Sequence, residues 1–347
     1  LNNQDRLFFY PIHMNRLFYF FILLLFFGCD KNTTRDQSFI KGRDALKEKK
    51  YKKAETQLLI AVKEDESFSE AWNNLGIAYY EQGEIEKALD TYQKALSIDS
   101  CLIDAYQNKA NALFKIGNVD DAIITLTNGL ECENLNYNLL LNRATLYQQK
   151  KKYKRALNDL NLCLQINGLD DVLLTNIGYC HYSLDALDSA FHYSIQAIEI
   201  NADRHEAVNN LGMIALKNKE VNQAYKYFSR AVEQDPQNVL YRLNLSKAAI
   251  SIKNYDSACK NAKMADYYDE GNTQALNYIL RSCVFTMEMK IFFDYCLELY
   301  QKGNISIFNV PLKELRNNDK NEKYCELSKL IKEKNIKIDG NLLSKCK

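Results

Sequence analysis

An all-α array of helix-turn-helix units is the fold class that three observations predict. The chain of 347 residues contains only 3 prolines and 12 glycines, so long stretches carry no helix breaker. From residue 35 the sequence repeats every 34 residues, in seven blocks starting at 35, 69, 103, 137, 171, 205 and 239 with no insertion between them. The twentieth place of every block is alanine: Ala54, Ala88, Ala122, Ala156, Ala190, Ala224 and Ala258.

Composition limits the function classes. Acidic and basic residues almost balance, at a formal charge of +1, and without a basic surplus no nucleic-acid partner is expected. The 10 cysteines are scattered with no close pair, so most read as small core residues. Disulfides among Cys283, Cys296, Cys325 and Cys346 stay open, because spacing alone cannot pair them. His13, His181, His192 and His205 form no ligand set, so neither a metal nor a cofactor is expected.

The N-terminus reads as an address. Residues 1–13 look like upstream sequence ahead of a start at Met14. Met14–Arg16 and the apolar run Leu17–Gly28 then lead to Cys29, a positive region followed by a short apolar core. As a helix that run rises about 18 Å, short of the roughly 30 Å hydrocarbon layer. The Gly28-Cys29 ending resembles a bacterial lipoprotein signal, although Phe26 and Phe27 depart from the usual pattern. That resemblance implies a signal peptide over 14–28 and a lipidated Cys29, with residues 29–34 as a short linker. More than one buried acyl chain makes such an anchor stable.

Each block divides into two helices. The eighth place is small throughout: Gly42, Gly76, Ala110, Ala144, Gly178, Gly212 and Ser246. Small side chains at the eighth and twentieth places let two antiparallel backbones approach. Larger residues fill the remaining space, with Trp72, Tyr106, Leu140 and Val208 in the fourth place and Tyr92, Leu126, Leu160 and Phe228 in the twenty-fourth. Gly83, Gly117, Lys151 and Lys219 mark turns within blocks, and Pro236 follows the second helix of block six. One block cannot bury its own apolar face, so the stack is the folding unit.

These places resemble the tetratricopeptide-repeat (TPR) signature over residues 35–272. The resemblance implies a right-handed superhelix of about seven repeats whose first helices line a groove. After block seven, Thr273–Cys283 reads as another first helix, and 284–303 as one longer helix that caps the array. Two further helices are expected in "NVPLKEL" and "NEKYCELSKLIKEK", the latter ending near Asn335, with a mobile tail beyond. The capping region therefore spans 273–347.

Helical spacing divides each first helix into a core side (places four, seven, eight and eleven) and a groove side (places two, five, six, nine, twelve and thirteen). Asn73 thus falls on the groove side with Asn74. The sixth place carries Asn74, Asn108, Asn142, Asn176, Asn210 and Asn244 in six consecutive blocks. An asparagine amide both donates and accepts, so such a ladder suits the backbone of an extended peptide. It resembles the asparagine ladders lining the TPR superhelix of some glycosyltransferases. The competing reading is that these amides bond neighbouring repeats or water.

Anchor residues for partner side chains are sought in the ninth and twelfth places. These hold Ile77, Tyr80, Phe114, Tyr179, Tyr182, Met213, Leu216 and Ile250, though packing between repeats competes for them. A TPR clamp on a C-terminal carboxylate would need lysine in the fifth place, which instead reads Phe39, Asn73, Gln107, Leu141, Thr175, Asn209 and Leu243. No catalytic motif or phosphate-cradling loop is present.

The expected function is a non-enzymatic, lipid-anchored scaffold of the bacterial cell envelope, on the periplasmic or outer-membrane side. It would bind an extended segment of a partner protein in its groove during assembly of an envelope complex. The runner-up is a self-assembling structural module that uses its convex surface or C-terminal helices.

Overall fold

The computed structural model describes residues 34–304, 306–338 and 342–343. The signal-like segment and Cys29 lie outside them. The described residues form helices joined by short turns. Two compact units divide the chain between Ile166 and Asn167.

In the first unit the pairs are α1 (34–47) with α2 (Tyr51–Glu64), α3 (Ser69–Glu81) with α4 (Ile85–Ile98), α5 (Ile103–Lys115) with α6 (Val119–Cys132), and α7 (Tyr137–Gln149) with α8 (Tyr153–Asn167). The second unit continues with α9 (Asp171–Ser183) and α10 (Leu187–Ile200), α11 (His205–Lys217) and α12 (Val221–Gln234), and α13 (Val239–Ser251) and α14 (Tyr255–Tyr268). It ends with α15 (Thr273–Thr286), α16 (Met289–Gln301), α17 (Asn309–Asn317) and α18 (Asn321–Glu333).

The small places explain the pairing. All seven twentieth-place alanines are fully buried, and the eighth place lies against the twenty-fourth of the same block. A Cβ on Gly212 would sit 2.5 Å from Phe228 Cε1, and one on Gly76 would strike the Tyr92 ring. Glycine faces the rings of Tyr92 and Phe228, and also Leu58 and Ser194, whereas Ala110 and Ala144 accompany Leu126 and Leu160. Interiors are packed to crystal-like density, so a ring as close as those of Tyr92 and Phe228 leaves no room for a Cβ at Gly76 or Gly212.

Two core places escape the sequence reading. The third carries Ala71, Ala105, Leu139, Leu173, Ala207, Tyr241 and Ala275, all buried, and the tenth includes buried Ala78, Ala112, Cys180 and Ala248. Small residues also fill the twenty-seventh place, where buried Cys163 stands in line with Ala61, Ala95, Ala197, Ala231 and Ala265. Burial pushes the Cys163 thiol up to about 11, which leaves it an inert core residue.

The turn between paired helices needs a left-handed residue. Gly83 and Gly117 supply it with φ of 82° and 81°. Lys151, Asp185, Lys219 and Lys253 adopt it at φ of 56°, 66°, 65° and 61°, at a cost that glycine escapes.

The C-terminal region differs from expectation. Residues 284–303 are not one helix: α15 ends at Thr286, extended Met287 breaks the chain, and α16 starts at Met289. That start keeps the repeat spacing after Tyr255, yet α15 packs mainly on α14 and α17 and only lightly on α16. The reason is size. Leu280 and Phe292 occupy the eighth and twentieth places of this last pair, and both are buried. The two backbones therefore cannot close, and Phe292 packs instead in a core with Phe293, Phe308, Leu312, Leu327 and Ile331. The expected helices beyond residue 303 are α17 and α18, and from the tail Ile336 and Leu342 are buried in the same core.

Cysteine pairing also becomes visible. Cys101 bonds Cys132 and Cys259 bonds Cys283, with Cα separations of 5.5 and 4.9 Å. Cys283 thus joins α14 to α15, while Cys296 is a buried free thiol. Among the described residues no helix is long and apolar enough to cross a membrane, and no His/Cys/Asp/Glu cluster could hold a metal ion.

Candidate functional site

The sixth-place asparagines fall into three groups. Asn108 Nδ2 donates to Asn73 Oδ1 of the preceding block at 3.0 Å, and Asn244 Nδ2 donates to Asn209 Oδ1 at 2.9 Å. Asn210 is buried and donates to the Thr175 carbonyl at 3.2 Å. In these three, one N–H ties a first helix to its predecessor. Asn176 donates to the Val172 carbonyl of its own helix at 3.1 Å. Asn74 and Asn142, both half-buried, make no hydrogen bond among the described residues.

The fifth place is therefore corrected. Asn73, Thr175, Asn209 and Leu243 are buried, in the seam where successive first helices meet. Asn73 and Asn209 accept from the next block's sixth place, while Thr175 and Asn209 also line a cavity between α9, α11 and α13.

The predicted anchor residues separate in the same way. Tyr80 carries the Lys115 ammonium over its ring at 4.4 Å, and Tyr182 carries Lys217 at 4.9 Å. These are equivalent contacts between consecutive blocks. Lys217 also pairs with Asp185 at 2.6 Å. Phe114 is exposed. Met213 and Leu216 lean on the Phe228 core, whereas Ile77 and Ile250 are half-buried against neighbouring cores.

A cavity of about 410 Å³ opens on the second unit, between α9, α11 and α13. Its lining brings together the predicted Asn176, Asn210, Tyr179 and Met213 with the unpredicted Arg204, Glu206, Leu240 and Tyr241. The size and mostly apolar wall with a few polar groups are those of a small ligand-binding cleft.

Arg204 reaches it from the turn before α11. At the equivalent place Asn136, Asp170, Asn238 and Asn272 cap the following first helix through their side chains, but Arg204 makes no cap. Its Nε and Nη2 instead hold Asp171 Oδ2 at 2.7 and 2.6 Å, and Asn201 adds a third bond to that oxygen at 2.7 Å. Burial opposes the Asp171 charge, but the bonds from Asn201 and Arg204 outweigh it and hold the carboxyl below its ordinary range.

Tyr241 has a legible signal: it stands in the third place, where Ala71, Ala105, Ala207 and Ala275 are small. Its hydroxyl pairs with His205 Nδ1 at 2.9 Å, and burial pushes its pKa upward. Glu206 occupies the second place, a groove-side position by spacing. Nothing in the local sequence marks Arg204.

Family models for the tetratricopeptide repeat match residues 69–100, 137–168 and 205–238, which are blocks two, four and six. These blocks are tetratricopeptide repeats. Solved TPR structures agree with the fold. A TPR protein from Parabacteroides merdae superposes with a TM-score of 0.60 at 16% identity, covering 71% of this chain and 98% of that one. Pseudomonas aeruginosa pilF gives 0.50 at 20% identity, covering 62% and 97%. The C-terminal part of a TPR repeat-containing protein from Cytophaga hutchinsonii gives 0.52 at 14%, covering 70% and 99%. At these identities the likeness speaks for the all-α TPR fold alone. No curated protein matches the chain in sequence. TPR arrays serve as protein–protein interaction scaffolds, the coarse function that the repeats support.

Proposed function

We propose that this TPR chain is a non-enzymatic scaffold that binds an extended segment of a partner protein along its first helices. It does so while anchored to a membrane of the bacterial cell envelope through a lipid on Cys29. The observation that carries the reading is the cleft between α9, α11 and α13, where second-, sixth- and ninth-place side chains converge. Amides bracket a backbone and flanking rings receive side chains, an arrangement suited to a segment of relaxed sequence. Each neutral hydrogen bond contributes about 0.5–1.5 kcal/mol, so a few engaged amides give useful affinity.

Two further observations support the setting. The disulfides Cys101–Cys132 and Cys259–Cys283 suit an oxidising compartment outside the cytosol. The described tail residues Ile336 and Leu342 pack in the terminal core, so these two residues do not occupy the cleft.

Crosslinking and pull-down from intact membranes test the reading. Asn142→Ala/Asn176→Ala removes one amide that holds no internal bond and one that lines the cleft, and is expected to reduce partner recovery with the fold intact. Unchanged recovery refutes the ladder. Cys29→Ala is expected to release the protein from membranes, and retention as an unprocessed precursor refutes lipid anchoring.

A further inference from the structure

The bonds Cys259–Cys283 and Cys101–Cys132 stand in opposite surroundings. Cys259 and Cys283 are buried and belong to the terminal core, whereas Cys101 and Cys132 are both exposed. A disulfide opens when a thiolate attacks one sulfur and expels the other, so the reaction depends on access. No thiolate reaches the buried pair while α14 and α15 stay packed. The exposed pair is open to attack in the folded chain.

Position separates them further. Cys101 lies in the turn before α5, and Cys132 is the last residue of α6. These are the two free ends of one antiparallel pair, whose other end is closed by the turn at Gly117. The bond therefore makes block three a closed ring. Other blocks form the same pair of helices without one, since the equivalent places hold Ser67 with Ile98, Leu169 with Ile200 and Asp203 with Gln234. Block three also keeps the common core, with Ala110, Ala122 and Leu126 all buried. Its disulfide is thus additional to the packing that folds it. Cys259–Cys283, by contrast, ties α14 to α15 where Leu280 and Phe292 break the small-residue rule.

We propose that Cys101–Cys132 is a thiol–disulfide exchange site, which takes two electrons from a dithiol reductant while the array stays folded. One thiolate of the reductant attacks a sulfur of the pair, forming a mixed disulfide and expelling the other cysteine as a thiolate. The reductant's second thiolate then attacks the reductant's own sulfur in that mixed disulfide and frees the remaining cysteine. The two protons of the dithiol end on Cys101 and Cys132, and the reductant leaves as a disulfide. Opening the ring releases the ends of α5 and α6, so block three, which carries Asn108 and Phe114, loosens without its neighbours. The site stands whether or not the first helices bind a peptide.

Timed treatment of the native full chain with dithiothreitol tests it, with iodoacetamide quenching and peptide mass spectrometry to locate the label. Cys101 and Cys132 are expected to become labelled about tenfold sooner than Cys259 and Cys283, because only the first pair is accessible. The far-ultraviolet circular dichroism of the chain is expected to keep its helical signal once Cys101–Cys132 has opened, and Cys101→Ser/Cys132→Ser to match it. Equal rates for the two bonds, or earlier opening of Cys259–Cys283, overturns the proposal. Loss of the helical signal as Cys101–Cys132 opens makes that bond a structural staple and overturns it as well.

Discussion

Asn108 and Asn73 share a hydrogen bond of 3.0 Å across the junction between blocks two and three, and Asn244 and Asn209 repeat it between blocks six and seven at 2.9 Å. The acceptors Asn73 and Asn209 are buried, so losing the donor leaves a shielded amide oxygen unsatisfied, at about 1–3 kcal/mol. Asn108→Ala and Asn244→Ala should each lower stability by that order in urea unfolding. Asn74→Ala and Asn142→Ala should stay within about 0.5 kcal/mol. Equal losses at all four positions would contradict a division of the ladder into structural and available amides.

The close approach of Gly212 to Phe228 predicts coupling. Gly212→Ala drives a methyl against Phe228 and should cost about 1–3 kcal/mol by overpacking. Gly212→Ala/Phe228→Leu recreates the combination seen in Ala110 with Leu126. A double-mutant cycle should therefore return a favourable interaction energy of about 1 kcal/mol; simple additivity would refute the pairing.

Lys151 holds a φ of 56° at the place where Gly83 and Gly117 sit. Lys151→Gly should raise stability by about 0.5–1 kcal/mol, because removing Cβ relieves more left-handed cost than the added chain entropy takes back. The midpoint of chemical unfolding reads this directly.

Cysteine chemistry should split cleanly. Native protein treated with iodoacetamide at pH 8 should remain unlabelled at Cys163 and Cys296, which are buried and whose thiol pKa values burial raises. Reduction of the Cys101–Cys132 bond, which closes 31 residues, should cost up to about 3–4 kcal/mol on the chain-entropy account. Rapid labelling of either buried thiol would show that the helices open locally.

Asp171 predicts an acid dependence. Its carboxyl titrates below the unfolded value of about 3.9, since the bonds from Asn201 and Arg204 prevail over burial. The stabilisation is fully present above that unfolded value and is lost as pH falls through the lower folded one. Asp171→Asn should cost on the order of 1–2 kcal/mol at pH 7 and flatten the acid limb of the stability profile. An unchanged limb would place the acid sensitivity elsewhere.

The sequence by itself determined the period, the helix pairs and most of the core, because these depend on residues recurring at fixed short spacing. The buried alanines at Ala54 through Ala258 and the turn at Gly83 belong to that class. The last pair was half legible: Leu280 and Phe292 visibly break the small-residue rule, but the break at Met287 and the new partners of Phe292 were not. Tertiary structure alone decided which amides are spent, since whether Asn108 is tied down depends on Asn73 of another block. It also decided the disulfide pairs and the arrival of Arg204 at the cleft. Such contacts join residues that no local periodicity connects, and the packing of one block on the next chooses among the positions that helical spacing leaves equivalent.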